Sequence, residues 1–257
     1  MTLFPNPIMS EPLDVAIRAA KEAGAFLRAH FENTESLVVN EATQHDIKLE
    51  LDVRSQTLIT EILLVEFPDH ALYGEEGLAG NQESPWQWIV DPIDGTVNYF
   101  YGIPHFCVSI ALRHEGVTQV GVIFDPMTDT LWTSKRGEGA YMNDRKISVS
   151  AREKLNEAMI VVGFSKTAAA MQEGQSMFTE LASQVRKVRI MGSAALGLAY
   201  IASGRLDAYL EGFISLWDIA AGVLLIEEAG GIVELKNLDN SPDKFSVRAS
   251  NGKLTLP

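Results

Sequence analysis

Trp88-Ile89-Val90-Asp91-Pro92-Ile93-Asp94-Gly95-Thr96 is the stretch whose residue types and spacing best fit chemistry. Its apolar run reads as a strand ending at Asp91, where Pro92 forces a turn that Asp94-Gly95 continues. Asp91 and Asp94, three residues apart on a sharp turn, can converge on one point. Gly95 has no Cβ, so a ligand can approach the backbone closely. Backbone N–H groups just after such a turn can point at an anion, especially where a helix begins. Carboxylates joined by backbone oxygens suit a hard cation such as Mg2+.

Asp-Pro and Asp-Gly are also ordinary turn chemistry, and the chain carries its own control. Asp125-Pro126-Met127-Thr128-Asp129 again sets two aspartates beside a proline, without the Gly-Thr tail, between candidate strands 120–124 and 130–134. It reads as a hairpin turn. Gly74-Glu75-Glu76-Gly77 is by itself a charged loop. In Trp217-Asp218-Ile219-Ala220-Ala221-Gly222, Asp218 is by itself an N-cap or first-turn acid stabilising a helix dipole. No GxxxxGK[ST], HExxH or GxSxG pattern occurs. The five histidines, at 30, 45, 70, 105 and 114, show no metal-ligand spacing. Cys107 is the single cysteine, which excludes an internal disulfide and a thiolate zinc cage. Its apolar surroundings mark it as a small buried hydrophobe.

The elements that must position these residues follow from periodicity. Ala and Leu recur at helical spacing within 10–30, with Ser10 or Glu11 near the start. A second helix spans 52–67 and stops at Pro68-Asp69. Short apolar runs at 71–73, 86–90, 107–112, 120–124 and 130–134, separated by Gly, Pro and Asp turns, predict sheet strands. Beyond Ser150 helices and strands alternate. Strands are expected at 159–162, 187–190, 208–210, 232–234 and 247–249. Helices are expected at 168–185, 194–202 and 217–229, the last closed by Gly230-Gly231. This order implies a layered α/β architecture. A weak boundary near 150–157 divides it into two halves, 1–150 and 151–257, of one globule.

The 257 residues leave room for a large core, and 46 % apolar with 21 % charged residues is ordinary for a globular protein. Acidic residues outnumber basic ones, 34 to 21, giving a net charge of −13. That balance argues against nucleic-acid binding. The N-terminal MTLFPNPIMSEP lacks the pattern of a signal peptide, and no apolar run is long enough to span a bilayer. No membrane association and a cytoplasmic location are therefore expected.

Taken together and in order, Gly74-Glu75-Glu76, Asp91–Thr96 and Trp217–Gly222 resemble the inositol monophosphatase family. The resemblance runs from about Asp46 to Ser250 and includes Asn98-Tyr99, Gly102-Ile103-Pro104, Gly137-Glu138-Gly139-Ala140, Gly192-Ser193-Ala194-Ala195 and Glu227–Gly231. It implies a layered α-β-α-β-α sandwich like the sugar phosphatases, a homodimer, and two or three Mg2+ ions. By the same resemblance Glu75, Asp91 and the Ile93 carbonyl bind one magnesium, and Asp91, Asp94 and Asp218 another. Gly95 and Thr96 hold the phosphate through backbone N–H groups. Asp52 looks like a water-activating or third-metal residue. Ser193, Ala194 and Glu211, with Asp94 and Asp218, fall where the family contacts the substrate. One departure stands out: Leu49 replaces the family's usual Thr, flanked by the charged additions Lys48 and Glu50.

Two cations can clamp a phosphate and lower the pKa of a bound water, and Thr96 with Glu75 or Asp52 can orient that water. The expected activity is hydrolysis of a small phosphate monoester, first of all myo-inositol monophosphate, with lithium sensitivity. Fructose 1,6-bisphosphate, histidinol phosphate and a 3′-phosphoadenosine nucleotide are alternative substrates. A regulatory binding module on the same fold is the rival from another class.

Overall fold

A computed structural model describes residues 11–31, 37–43, 47–164, 168–238 and 241–257. Ser10, His45 and Asp46, named above, lie outside the described residues. Helix α1 (Pro12–Phe31) buries Ala16, Ala19, Ala20, Ala23 and Leu27 along one face, as a period of 3.6 requires. Strands β1 (Val39–Ala42) and β2 (Ile47–Leu49) form a small hairpin leading into α2 (Glu50–Glu66). Next come β3 (Ala71–Gly74), β4 (Gly77–Gly80), β5 (Trp86–Asp94) and the short helix α3 (Thr96–Phe100). A meander follows through β6 (Cys107–His114), β7 (Val117–Asp125), β8 (Thr130–Lys135), β9 (Gly139–Met142) and β10 (Arg145–Lys146).

Strands β3 to β10 build one eight-stranded sheet, in the order β10-β9-β8-β7-β6-β5-β3-β4. The remaining chain supplies β11 (Met159–Val162), α4 (Ala168–Ala182), β12 (Lys187–Arg189) and α5 (Ala194–Ala202). It ends with β13 (Ala208–Ser215), α6 (Leu216–Glu228), β14 (Ile232–Asn237) and β15 (Lys244–Ser250). Its five-stranded sheet has the order β12-β11-β13-β15-β14.

The central strands of the large sheet read as continuous apolar runs because both faces are covered. Trp88, Val90, Ile110, Leu112, Val122 and Phe124 join the core under α1 and α2. Their alternating neighbours Ile89, Ala111, Ile123 and Trp132 join the core around α5 and α6. Burying one such Val, Leu, Ile or Phe side chain stabilises the fold by about 1.5–3 kcal/mol. Gly24 has no Cβ to spare, since one built there would sit 2.6 Å from the Phe124 ring. The second sheet packs one face on α5 and α6; its other face, with Ile160, Val162, Ala208 and Leu210, meets Leu181 of α4. The layers are therefore α1/α2, large sheet, α5/α6, small sheet, α4: the α-β-α-β-α sandwich. Among the described residues no helix is long and apolar enough to cross a membrane.

Several elements differ from expectation. Strand β5 does not end at Asp91 but runs on to Asp94 through an irregularity. Strand β13 continues to Ser215, and α4 stops at Ala182. The strands β1, β2, β4, β9 and β10 and helix α3 were not anticipated. The Asp125–Asp129 segment is the hairpin turn expected: Asp125 Oδ1 accepts the Met127 and Thr128 N–H groups at 2.9 and 3.2 Å, and Asp129 is left-handed at φ 51°.

Candidate active site

On a regular strand Asp91 and Asp94, an odd number of residues apart, would face opposite sides of the sheet. Asp91 pairs with Ser109 and Asp94 with Cys107, so two β5 residues, Pro92 and Ile93, oppose the single Val108. This is a β-bulge, and it turns both carboxylates to one side. Pro92 sits in the bulge, where no ladder N–H is required of it. Asp91 Oδ1 accepts the Ile93 N–H at 3.0 Å, which fixes its rotamer.

Helix α6 brings the third carboxylate. Asp218 lies in its first turn and accepts the Ser215 N–H at 3.0 Å, as a first-turn acid does. Asp91, Asp94 and Asp218 place ligand oxygens within 4.8 Å of one another. Glu75 lines the same cavity from the tip of the β3–β4 hairpin, its N–H bonded to the Val90 carbonyl at 3.1 Å. The cavity has a volume of about 530 Å³.

Burial pushes the Asp91 and Asp218 carboxyls well above the usual carboxylate range, and the charges of Glu75 and Asp94 push them further. Burial also raises Asp94, against the hydrogen bonds that hold its charged form. Asp52 is pushed up to about 7 by burial and by Glu75 and Glu76, opposed by the Leu49 N–H and Thr96 hydroxyl. Carboxylates crowded out of water in this way are stabilised in their charged form by a cation. An all-oxygen donor set of this kind fits a hard divalent ion such as Mg2+.

At the start of α3, Gly95 takes φ 101°. A Cβ there would lie 3.0 Å from the His105 carbonyl and 3.2 Å from that of Gly192, so this position needs glycine on two counts. The Thr96 hydroxyl is 2.9 Å from the Ile93 carbonyl and 3.2 Å from Asp52 Oδ1, and its one proton can serve only one of them at a time. The Ile93 carbonyl, expected at a metal, is thus also the acceptor for Thr96. Asp52 is buried behind Thr96 rather than in the carboxylate cluster, and accepts the Leu49 N–H at 2.7 Å. Leu49 itself is fully buried, so the hydroxyl position of the resembled family has become a core contact.

The residues expected at the substrate do several jobs. Ser193 donates to Asp94 Oδ2 at 2.6 Å and caps α5 by accepting the Leu196 N–H at 3.3 Å. The Ala194 and Ala195 N–H groups also reach Asp94, at 3.2 and 2.6 Å. Asp94 therefore ties the bulge of the large sheet to the N-terminus of α5. Cys107 is buried 3.7 Å from the same carboxylate. Glu211 lines the cavity and accepts the Tyr209 hydroxyl. Arg205 lies over the Trp132 and Tyr200 rings, at 5.6 and 5.4 Å. A Cβ on Gly163 would come 2.1 Å from Glu211 Oε2, so the glycine makes the room that Glu211 occupies.

Three residues have positioning roles that the sequence reading did not assign, Asn98 among them although it belongs to the resemblance. Gln56 of α2 accepts the Glu76 N–H at 2.9 Å and donates to the Gly77 carbonyl at 3.2 Å, clamping the hairpin tip that carries Glu75. Asn98 donates to the carbonyls of His105 and Met191, at 2.8 and 2.9 Å, joining α3 to the segment before α5. Tyr209 holds Glu211. Signals existed for two of them: Gln56 is one helical turn past Asp52, and Tyr209 shares a strand face with Glu211.

Comparison with known proteins agrees with this geometry. A family model described as the inositol monophosphatase family matches residues 9–254. The Nus factor SuhB of Xylella fastidiosa is 42 % identical over 256 residues, covering 96 % of this chain and 92 % of that protein. The inositol-1-monophosphatase of Mesorhizobium japonicum is 40 % identical over 243 residues, covering 93 % and 91 %. The crystal structure of the extragenic suppressor protein SuhB from Bartonella henselae superposes with a TM-score of 0.88 at 34 % identity, covering 95 % of each chain. A match of this extent, on a fold whose bulge and helix α6 bring three aspartates together, leaves one conclusion: the chain belongs to the inositol monophosphatase family.

Proposed function

We propose that the protein is a Mg2+-dependent phosphoric monoester hydrolase whose favoured substrate is myo-inositol monophosphate, cleaved to inositol and phosphate. The observation that carries this reading is the convergence of Asp91, Asp94 and Asp218 beside Glu75 in one cavity. Asp91, Asp94, Asp218, Glu75 and the Ile93 carbonyl would hold two or three Mg2+ ions. When bound, Mg2+ supplies charge neutralisation for the phosphate and lowers the pKa of the attacking water. The Gly95 and Thr96 N–H groups bind phosphate oxygens at the start of α3. The Thr96 hydroxyl orients the attacking water, and Asp52, 3.2 Å away, holds that hydroxyl and is the acceptor for its proton. Glu211, fixed by Tyr209, receives leaving-group hydroxyls. Ser193 and Ala194 act on the substrate through Asp94. Residues 1–150 carry most of the ion ligands, and 151–257 bring Asp218 and the leaving-group wall. Lithium inhibition, a homodimer and a cytoplasmic setting complete the reading.

One observation favours a second reading, a regulatory binding module on the same fold: the Xylella fastidiosa relative is a Nus factor. A substrate panel of inositol 1-phosphate, fructose 1,6-bisphosphate, histidinol phosphate and 3′-phosphoadenosine 5′-phosphate, run with and without Mg2+, decides between them. The phosphatase reading expects Mg2+-dependent phosphate release, highest for inositol 1-phosphate. Absence of release from every ester would favour the module.

A further inference from the structure

Among the described residues that line the cavity, Lys48 and Lys244 are the only basic side chains. They enter from different walls. Lys48 belongs to β2, which packs against α3 and so lies at the phosphate end. Lys244 opens β15 directly opposite Ser215 in the ladder, and the same strand β13 carries Glu211. It therefore stands on the wall that receives the leaving group.

The Lys244 ammonium is held in place. It donates to Ser215 Oγ at 2.8 Å and lies over the Trp217 ring at 4.5 Å from the centroid. Asp243 Oδ2 is 3.6 Å away, and that carboxylate accepts the Tyr73 hydroxyl at 2.7 Å and also the Ser241 hydroxyl. The lysine side chain is 27 % exposed, so a solute in the cavity can reach it. An ammonium has three N–H donors, and Ser215 takes one. A cation fixed over an aromatic ring on a cavity wall is suited to an anionic group of a ligand as well as to a hydroxyl.

We infer that Lys244 forms a second anion subsite on the leaving-group wall, so that esters carrying a carboxylate or second phosphate beyond the phosphate that is cleaved are accepted beside inositol 1-phosphate, and are preferred to neutral esters of the same size. This rests on the phosphatase reading above and extends its substrate class. The alternative is that Lys244 only tethers Ser215 and Asp243.

A matched pair of esters separates the two. Glycerol 2-phosphate and 2-phosphoglycerate share the reacting phosphate and differ by a hydroxymethyl against a carboxylate. Their kcat/KM values are measured at saturating Mg2+ for the unmodified protein and for Lys244→Met, which keeps the length and ring contact but removes the charge. The expected result is a preference for 2-phosphoglycerate that falls about tenfold in Lys244→Met, the size of one charge-assisted hydrogen bond. Lys244→Arg, which keeps the charge, should retain most of that preference. An unmodified protein that prefers glycerol 2-phosphate, or a ratio that Lys244→Met leaves unchanged, overturns the subsite while leaving the phosphatase reading in place. Hydrolysis of neither ester by a protein that hydrolyses inositol 1-phosphate also overturns the subsite alone, and no Mg2+-dependent release from any of the three overturns both.

Discussion

Thr96 has one hydroxyl proton and two acceptors within reach, the Ile93 carbonyl and Asp52. A side chain so placed can orient water without holding the phosphate, which in the proposed site rests on cations and backbone N–H groups. Thr96→Ala should therefore lower kcat by about a hundredfold and change KM little. Steady-state kinetics on inositol 1-phosphate checks this, and a large KM increase at constant kcat would make Thr96 a binding residue instead. The buried carboxylates give a second prediction. Asp52, Asp91 and Asp218 all bind their protons more tightly folded than unfolded. Folded stability from these groups is then full below the unfolded carboxyl pKa and is lost as pH rises toward the folded values, from about pH 4 through about pH 7 for Asp52. With a chelator present, Tm should fall across that window. The rise in Tm on adding Mg2+ should grow across it, since the cation relieves the repulsion. A Mg2+-induced shift that is the same at both ends would mean that the ion binds away from these carboxylates.

Elements decide where these residues stand, and here the sequence was legible in some places and silent in others. The run 86–90 announced a two-faced strand, and Asp91 and Asp94 announced a site. The strand signal ended at Pro92, because a bulge is a property of the pairing with β6 and not of local residue type. Strand β4, Gly-Leu-Ala-Gly, has no β-branched residue and exists only by pairing with β3 across a two-residue turn. Helix α3 is too short to show a period. The bond from Asp94 to the start of α5 joins residues about a hundred positions apart, beyond any local pattern. The Gln56 clamp on the β3–β4 tip is equally non-local, and it is testable. Gln56→Ala should raise the Mg2+ concentration for half-maximal activity by about tenfold, as loss of a partner that orients a ligand does, with kcat at saturating Mg2+ much less affected. A Mg2+ titration of activity measures it; an unchanged midpoint would show that Glu75 is placed without Gln56.

At the scale of the molecule, the site exists because three elements from distant parts of the chain meet at the middle layer. The large sheet contributes the bulge, α6 contributes Asp218, and α5 receives Asp94 at its N-terminus. A net charge of −13 adds to the repulsion among these carboxylates. The proposed function requires that this cluster hold the ions that drive hydrolysis. The direct test is phosphate release from inositol 1-phosphate as a function of Mg2+ concentration, in the unmodified protein, in Asp91→Asn and in the matched control Asp129→Asn. The expected result is saturable Mg2+-dependent release, abolished by chelation and lowered at least about a hundredfold in Asp91→Asn, with Asp129→Asn nearly intact because its turn is structural. Release that ignores Mg2+, or equal activity in Asp91→Asn and the unmodified protein, would contradict it.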